Sequence, residues 1–442
     1  MSASRREGER LTSIEICAGA GGQAVGLHNA GFQHLALVEL DPHAVGTLRD
    51  NVETWPGWTK ERARAIEPTD VKAFLDSPLL KELELEEESL SLFAGGVPCP
   101  PFSLAGKRLG ADDERDLFPD ALKIIERLRP KAVMIENVRG ILEPPEVFID
   151  YRRQIVNTLH ELGYAVPEID PGWTCAEQNQ AMARVWRRVE ARNFGVPQLR
   201  PRAILVAIRK DVPGSDRFVW PVRRRSGIRS VVEVLEPTMR ERCEKFWRKN
   251  VNGEPAGPGD WTGRDVFYTW KGVALMSRMN ATGGVAPTLV GGSKKHGGAD
   301  LGPSRAKKAW KAMGVDATGV ANDIEHCIPS RDLFRKDGPM LTVQQAAIIQ
   351  GFPEDWNFAG KKTAQYRQVG NAFPPPVAEA IGRAIAAVLQ PECREKLLRD
   401  YVMEDPDSAE GVPLSVQTEA FPLSVLPAPG YDCSGDLVSA VC

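Results

Sequence analysis

The chain has 442 residues, of which 42 % are hydrophobic and 26 % charged, and its formal net charge is −3. These fractions are typical of a soluble globular protein, and the length suggests roughly two or three domains. The small net charge excludes a polycation, so any surface that binds nucleic acid has to be local.

The first ten residues, MSASRREGER, are polar and lack the apolar segment of a secretion signal. No apolar run reaches the length of about 20 residues that spans a membrane. The eight cysteines show no CxxC pair and no histidine at metal-ligand spacing. Neither a disulfide framework nor a metal site is expected. The sequence therefore predicts a cytoplasmic protein with reduced thiols, no metal and no membrane segment.

Short apolar strands alternate with amphipathic helices over the first half of the chain. A further strand is predicted just before Asp70. Helical periodicity covers 116–128 and 151–163, and Gly163 is a plausible helix stop. This alternation predicts an α/β fold with a doubly wound, mostly parallel sheet. The other predicted strands are TSIEICAG, LALVEL, SLFAGG, AVMIENV and AILVAIR.

The alternation of strands and helices ends near residue 222. Residues 223–340 are rich in Gly, Trp, Lys and Arg and are predicted to form a second, smaller domain. Helical periodicity returns over 341–396, where PPPVAEAIGRAIAAVL has prolines at its start. We therefore expect a first domain of residues 1–222 that is completed by 341–396. Residues 397–442 are predicted to be a loose tail.

The segment EICAGAGGQAVGL follows a predicted strand and opens a helix. Gly19 and Gly21 permit a tight turn that lets a ligand approach the backbone. Glu39 lies twenty residues after Gly19, at the end of the next strand, where an acid can bind ribose hydroxyls. The motif fits NAD and an adenosine cofactor equally well, and a glycine turn that binds nothing is the alternative. Asp70 is either a contact on the adenine side or a helix cap.

Cys99 follows the SLFAGG strand and is surrounded by three prolines. Prolines restrict the backbone and would fix the direction of the thiol, although a lone cysteine is more often a small buried residue. Glu136 and Asn137 end the next predicted strand. A buried carboxyl there can donate a proton, or it can cap a helix or pair with a cation.

Arg200 and Arg202 stand two residues apart at the entry to the AILVAIR strand. Side chains at this spacing point to the same face of a strand. Two guanidinium groups on one face suit phosphate and carbonyl oxygens, and a solvated basic edge is the alternative.

Seven motifs follow one another along the chain: AGAGG, VELD, TDV, PCPPFS, ENV, PQLRPR and QVGNAFPPPVAEAIG. Their order resembles that of the DNA (cytosine-5)-methyltransferases of bacterial restriction-modification systems. The resemblance covers about residues 12–222 and 340–390. It implies a Rossmann-like domain that binds S-adenosylmethionine, without a metal, and a target recognition domain over 223–340 that reads double-stranded DNA.

Positions within these motifs carry the family's roles. The resemblance implies that Cys99 attacks carbon 6 of cytosine and that Glu136 protonates ring nitrogen 3. Arg202 would contact the cytosine carbonyl oxygen, and Arg200 the backbone or the loop that carries Cys99. Asn137 is placed in the same catalytic group. The implied cofactor-binding residues are Ala18, Gly19, Gly21, Glu39, Leu40, Asp70, Leu117 and Asn371.

Two residues depart from the family pattern. Cys17 stands where the family usually has a phenylalanine that packs on the cofactor, and Pro100 stands where bacterial members often have glutamine. Neither change removes a catalytic group. The glycine-containing basic segment 103–116 is predicted to close over a flipped-out base and to hold phosphates.

Other functions fit part of the pattern. An RNA cytosine methyltransferase could carry the same residues, although the long variable segment favours DNA. An NAD-dependent oxidoreductase leaves Cys99 and Glu136 without a joint role. A non-catalytic DNA-binding protein would have no need of them. An amino-group methyltransferase would have Asp, Asn or Ser in the position of Cys99. We expect a monomer, associated with the nucleoid through its DNA, and a restriction endonuclease that shares its site.

Overall fold

A computed structural model describes residues 10–98, 116–280, 282–291 and 299–405. Eight strands lie in these ranges. They are β1 (Thr12–Ile16), β2 (Gln33–Val38), β3 (Leu92–Gly96), β4 (Ala132–Val138), β5 (Trp186–Glu190), β6 (Pro201–Ile208), β7 (Pro221–Arg224) and β8 (Tyr401–Met403).

The main sheet has six strands in the order β2-β1-β3-β4-β6-β5. Strands β2, β1, β3 and β4 pair in parallel, whereas β6 is antiparallel to both β4 and β5. Strands β7 and β8 form a separate antiparallel pair. The parallel half of the sheet confirms the predicted α/β class.

Fifteen α-helices accompany the strands within the described ranges. Gly163, at φ +86°, follows the helix that was predicted to stop there. They are α1 (Gly22–Asn29), α2 (Pro42–Asn51), α3 (Lys60–Arg64), α4 (Pro78–Glu82), α5 (Phe118–Leu128), α6 (Ile149–Glu161), α7 (Cys175–Met182), α8 (Val231–Glu244), α9 (Gly263–Ser277), α10 (Ser304–Lys311), α11 (Pro329–Asp332), α12 (Val343–Gln350), α13 (Lys362–Asn371), α14 (Pro375–Leu389) and α15 (Arg394–Leu398).

The prediction of a strand just before Asp70 is wrong. The described residues between α3 and Asp70 contain no strand, and Val71–Asp76 form a short 3-10 helix. Asp70 caps that helix, because its side chain accepts a hydrogen bond from the backbone N–H of Lys72. Pro68 in this segment has no N–H to give to a sheet ladder, which explains the irregular backbone.

The main sheet is covered on both faces. One apolar cluster joins Ile14 and Ile135 to residues of α5 and α6. The other joins Met134 to residues of α1 and α14, including Ile381 and Ile385. Residues 362–389 are long and apolar enough to cross a membrane by composition alone, but 78 % of their most apolar window is buried inside the protein. This stretch is therefore a core element of the fold.

A third apolar cluster lies outside the main sheet. It contains Trp270 of α9 and Trp310 of α10, and it extends to Ile349 of α12 and Val369 of α13. The cluster thus crosses the predicted boundary near residue 340. The division of the chain into domains remains a prediction.

Helices α1 and α14 approach each other so closely that only glycine fits at position 26. A Cβ atom there would lie 2.3 Å from the carbonyl oxygen of Pro375 and 2.5 Å from the Cβ of Ala378. We expect Gly26→Ala to lower the free energy of unfolding by about 1–3 kcal/mol, because the helices must separate. Urea unfolding followed by circular dichroism measures this change.

Gly272 of α9 is the matched control, because a Cβ atom there meets nothing within 4 Å. Gly272→Ala should raise the stability by up to about 1 kcal/mol through helix propensity alone. A Gly26→Ala variant as stable as the wild type would contradict the close approach of α1 and α14 at this position.

Candidate active site

A cavity of about 460 Å³ lies at the carboxyl ends of the parallel strands. Its wall contains residues that follow β1 and β2, residues from β3 and β4, and the stretch from α13 to Phe373. Loops after parallel strands meet at one edge of a sheet, where folds of this kind bind ligands. The predicted residues that line it are Ala18, Gly19, Glu39, Leu40, Asp70, Leu117, Glu136 and Asn371.

The glycine-rich turn after β1 is tied to Glu39. The backbone N–H of Gly19 donates to one carboxylate oxygen of Glu39 at 2.7 Å, and the N–H groups of Leu40 and Asp41 donate to the other at 2.8 Å. Gly19 has a φ of +54° and Gly21 a φ of +85°, which are left-handed conformations that favour glycine. The carboxylate is thus held in one position at the cavity wall.

Gly21, predicted to bind the cofactor, is not among the residues that line the cavity. A Cβ atom on Gly21 would come within 2.9 Å of the indole ring of Trp356, and the indole N–H donates to the carbonyl oxygen of Ala20 at 3.0 Å. A Cβ atom on Gly22 would lie 2.3 Å from the carbonyl oxygen of Phe373. Small residues in this turn therefore allow the chain beyond α12 to pack directly against it.

The polar groups of the wall fit an adenosine cofactor. Glu39 and Asp70 provide carboxylate groups, which can accept hydrogen bonds from hydroxyl and amino groups, and Leu40, Leu117 and Phe373 provide apolar side chains. Leu40 lines the cavity and is 59 % exposed. Asp70 caps a helix, which was one of the two expectations for it, and it also lines the cavity. Its contact with adenine stays a prediction.

Two buried polar side chains at this wall were not predicted. Both carboxylate oxygens of Glu15 in β1 and both polar atoms of the Gln23 amide in α1 have no hydrogen-bond partner among the residues that the structure describes. Burial, reinforced by Glu39, raises the pKa of Glu15 well above that of a free carboxyl group. The signal in the sequence was an acid inside the apolar strand TSIEI and an amide inside the apolar start of α1.

Cys17 also lines the cavity, at the position where the motif usually has phenylalanine. Its backbone φ is +50°. Burial, with smaller contributions from Glu39, Glu15 and Asp70, raises the pKa of its thiol. Cys17 is therefore a neutral apolar part of the wall at physiological pH.

Glu136 lines the cavity at β4 and forms a largely buried ion pair with Arg202, which is not among the lining residues. The two residues lie on adjacent antiparallel strands, and Arg202 pairs in register with Val138, two residues beyond Glu136. Both side chains therefore point to the same face. The Nε atom of Arg202 lies 2.6 Å from Oε1 of Glu136. Burial raises the pKa of Glu136, while Arg202 and then Arg200 lower it in part.

Arg200 does not reach the cavity. Its guanidinium group is buried and donates to the carbonyl oxygens of Leu289 at 2.6 Å, Gly370 at 2.7 Å and Ala372 at 2.9 Å. Contact with the backbone was one of the two expectations for this residue. The same burial lowers the pKa of Arg200.

Asn137 connects β4 to the chain that follows β3. Its side-chain amide donates to the carbonyl oxygen of Val97 at 2.9 Å, and its oxygen accepts from the N–H of Val138. Val97 lies two residues before Cys99. Asn137 therefore fixes the backbone from which the predicted nucleophile segment starts. Cys99 itself and most of 103–116 lie outside the described residues.

Comparison with known proteins identifies the family. Residues 11–387 match the family model for C-5 cytosine-specific DNA methylase. The chain is 42 % identical over 385 residues to the Type II methyltransferase M.NaeI of Lentzea aerocolonigenes. The aligned residues cover 87 % of this chain and 76 % of that protein. It is 38 % identical over 386 residues to the Type II methyltransferase M.NgoMIV of Neisseria gonorrhoeae, covering 87 % and 99 %.

A solved structure shares the fold. A prophage-encoded E. coli protein described as a DNA modification methyltransferase superposes with a TM-score of 0.50 at 19 % identity, covering 86 % of this chain and 99 % of that one. The chain therefore belongs to the C-5 cytosine-specific DNA methylase family. The resemblance carried by the seven motifs is confirmed.

The ion pair predicts how the proton affinity of Glu136 responds to its partner. Arg202→Met should raise the pKa of Glu136 further, because burial persists while the nearest positive charge is lost. Carboxyl NMR titration measures the shift, and the Glu136→Gln variant assigns the signal. Arg127→Met, at an exposed position of α5, serves as the control and should leave the pKa of Glu136 unchanged. A lowered or unaltered pKa in Arg202→Met would contradict the pairing.

Proposed function

We propose that this protein transfers a methyl group from S-adenosylmethionine to carbon 5 of a cytosine that is flipped out of a specific site in duplex DNA. The observation that carries the proposal is the single cavity that extends from Glu39 and Asp70 to Glu136. The wall that would hold the nucleoside and the proposed proton donor Glu136 thus share one space. Family membership supports the class of reaction.

The chemistry requires a nucleophile because carbon 5 of cytosine reacts poorly on its own. In the proposed mechanism the thiolate of Cys99 forms a bond to carbon 6, and the displaced electron pair moves through the ring to nitrogen 3. Nitrogen 3 takes a proton from Glu136, which leaves an enamine whose carbon 5 is nucleophilic. After methyl transfer a base such as water takes the proton from carbon 5, and the released electron pair re-forms the double bond between carbons 5 and 6 and expels the thiolate of Cys99. Nitrogen 3 returns its proton to Glu136, and the ring regains its conjugation.

Glu136 and Arg202 are suited to the proton transfer. Burial raises the pKa of Glu136, which favours the protonated form that can donate. Once the proton has moved, the guanidinium group 2.6 Å away stabilises the carboxylate that remains. The same guanidinium group would donate to the carbonyl oxygen of the cytosine ring.

The wall of the cavity would hold the methyl donor. Glu39 would accept hydrogen bonds from the ribose hydroxyls, and Asp70 would accept one from the amino group of adenine. Leu40 and Leu117 would pack against the apolar parts, and Asn371 would close the wall on the side of α13. Bound S-adenosylmethionine supplies an electrophilic methyl group.

A cytosine stacked inside a duplex cannot enter such a cavity. It must be flipped out, which costs a few kcal/mol, and the enclosing contacts have to offset that cost. We assign base recognition in the major groove to residues 223–340, and phosphate contacts to the catalytic part of the chain. The protein would act in the cytoplasm as a monomer, beside a restriction endonuclease that shares its site.

Bisulfite sequencing of DNA from a methylation-free bacterial host that expresses the protein tests the reaction. The wild type should protect cytosines at one recurrent short site. Cys99→Ala should protect none, and Glu136→Gln should lower the rate by about 10²–10⁴-fold because the proton donor is lost. Cys175→Ala is the matched control, because Cys175 is exposed at the start of α7 and does not line the cavity.

A result without protected cytosines would also be decisive. A folded wild-type protein that binds S-adenosylmethionine but protects no cytosine would overturn the assignment to DNA. Transfer of tritiated methyl groups to tRNA rather than to duplex DNA would then identify an RNA methyltransferase.

A further inference from the structure

A second cavity, of about 380 Å³, lies outside the main sheet. Its wall is built by α8, residues 323–325, the start of α12 and residues 354–358, together with Gln365 of α13. We call it the α8–α12 cavity. It shares no lining residue with the cavity at the carboxyl ends of the parallel strands. Charged and carboxamide residues make up most of its wall, so it is suited to a polar ligand.

Arg242 of α8 lines this cavity and is only 3 % exposed. One terminal nitrogen, Nη1, donates to the carbonyl oxygen of Met340 at 2.9 Å and to the amide oxygen of Gln345 at 2.6 Å. The other two nitrogens, Nε and Nη2, are buried and have no hydrogen-bond partner in the part of the chain that the structure describes. Nε and Nη2 share one edge of the planar group, and such an edge can bind both oxygens of a carboxylate in parallel.

The positive charge of Arg242 is poorly compensated by the protein. Burial lowers the pKa of Arg242, and the thiols and carboxylates around it, Asp332 and Asp323 among them, offset only part of that effect. Asp332 is already paired with Arg331 at 2.7 Å. Arginine keeps its charge in proteins, and a buried charge without a counterion is strongly destabilising. A carboxylate bound in the cavity would remove that cost.

Four acidic side chains line the same cavity, and all four are exposed. The ammonium group of Lys245 lies nearby, 3.5 Å from the carbonyl oxygen of Ile324, and leaves the acids in excess. A simple anion would be repelled by these acids, and a simple cation would leave the guanidinium group unpaired. The ligand therefore has to carry charges of both signs. The acids are Glu241, Asp323, Glu325 and Glu354.

We propose that the α8–α12 cavity binds a free amino acid with a basic side chain, such as lysine, whose carboxylate pairs with Arg242 and whose ammonium groups face the four acids. The second positive charge of a basic amino acid suits four acids better than a neutral zwitterion does. The indole ring of Trp356 lines the cavity and offers a face for an alkyl chain or a cation. The volume lies in the range of small-molecule sites.

Isothermal titration calorimetry on the full chain, with L-lysine as the probe, tests this site. Cadaverine, which is lysine without its carboxylate, should bind about 10–100-fold more weakly because it cannot pair with Arg242. L-Norleucine, which lacks the side-chain ammonium group, should bind about two- to fivefold more weakly because the acids are exposed. The proposal is overturned if L-lysine shows no binding up to about 10 mM, a range that includes millimolar Kd values.

Arg242→Met removes the charge and keeps a long side chain. It should weaken the binding of L-lysine about 10–100-fold and should not weaken that of cadaverine. An equal loss for both probes would show a merely structural role of Arg242 and would contradict the proposed pairing.

A double variant, Glu241→Gln with Glu325→Gln, guards against an Arg242 variant that does not fold, because both positions are exposed. It should weaken the binding of L-lysine more than that of L-norleucine. Glu244→Gln is the matched control: Glu244 is an exposed residue of α8 that pairs with Arg240 and does not line the cavity. The control should bind L-lysine like the wild type, and a double variant that also does so would refute the role of the acids.

The C-terminal lysine of a polypeptide offers a carboxylate and a side-chain ammonium group as well. Nα-Acetyl-L-lysine reproduces that end and lacks the free α-ammonium group, so it should bind more weakly than L-lysine. Tighter binding of the acetylated probe would overturn the assignment to a free amino acid in favour of a polypeptide terminus. These titrations use neither DNA nor a methyl donor, so their failure would leave the proposed function unaffected.

Discussion

Because β2, β1, β3 and β4 pair in parallel, the chain segments that leave their carboxyl ends must meet at one edge of the sheet. The glycine turn leaves β1, Glu39 leaves β2 and Val97 leaves β3. Glu136 lies near the end of β4. Residues separated by more than a hundred positions thereby line one cavity, and the chemistry of the site follows from strand pairing.

Hydrogen bonds between buried polar groups connect the second half of the chain to this sheet. An isolated guanidinium group in a protein interior is strongly destabilising, yet Arg200 has carbonyl partners from three residues around it. Gln198 and Gln350 satisfy each other and the same backbone stretches. Hydrogen bonds of this kind demand one geometry, whereas apolar contacts tolerate several. The hydrogen bonds of Gln198 and Arg200 to Leu289 therefore fix the position of 286–291 more precisely than apolar packing would.

Local patterns were sufficient where a residue acts through its immediate neighbours. The strand ends and the turn at Gly19 follow from period-two and glycine patterns. The placement of Glu136 beside Arg202 depends on the antiparallel pairing of β4 with β6, which these patterns did not predict. The prediction of a strand before Asp70 was wrong because Pro68 has no N–H group to donate to a sheet ladder. Glu15 was missed since its burial depends on helices packed from elsewhere in the chain. The partners of Arg200, 89 to 172 residues away, could not be read from spacing.

The proton affinity of Glu136 reflects two opposed effects of the same location. Burial favours the neutral carboxyl group, which the proposed reaction needs before the cytosine is attacked, and the arginines favour the carboxylate, which it needs afterwards. A deeply buried acid with no cation would hold its proton too firmly to give it to a ring nitrogen. A solvent-exposed acid beside Arg202 would have lost the proton at physiological pH. Placing the carboxyl on β4 and the guanidinium on antiparallel β6 keeps both effects acting on one group.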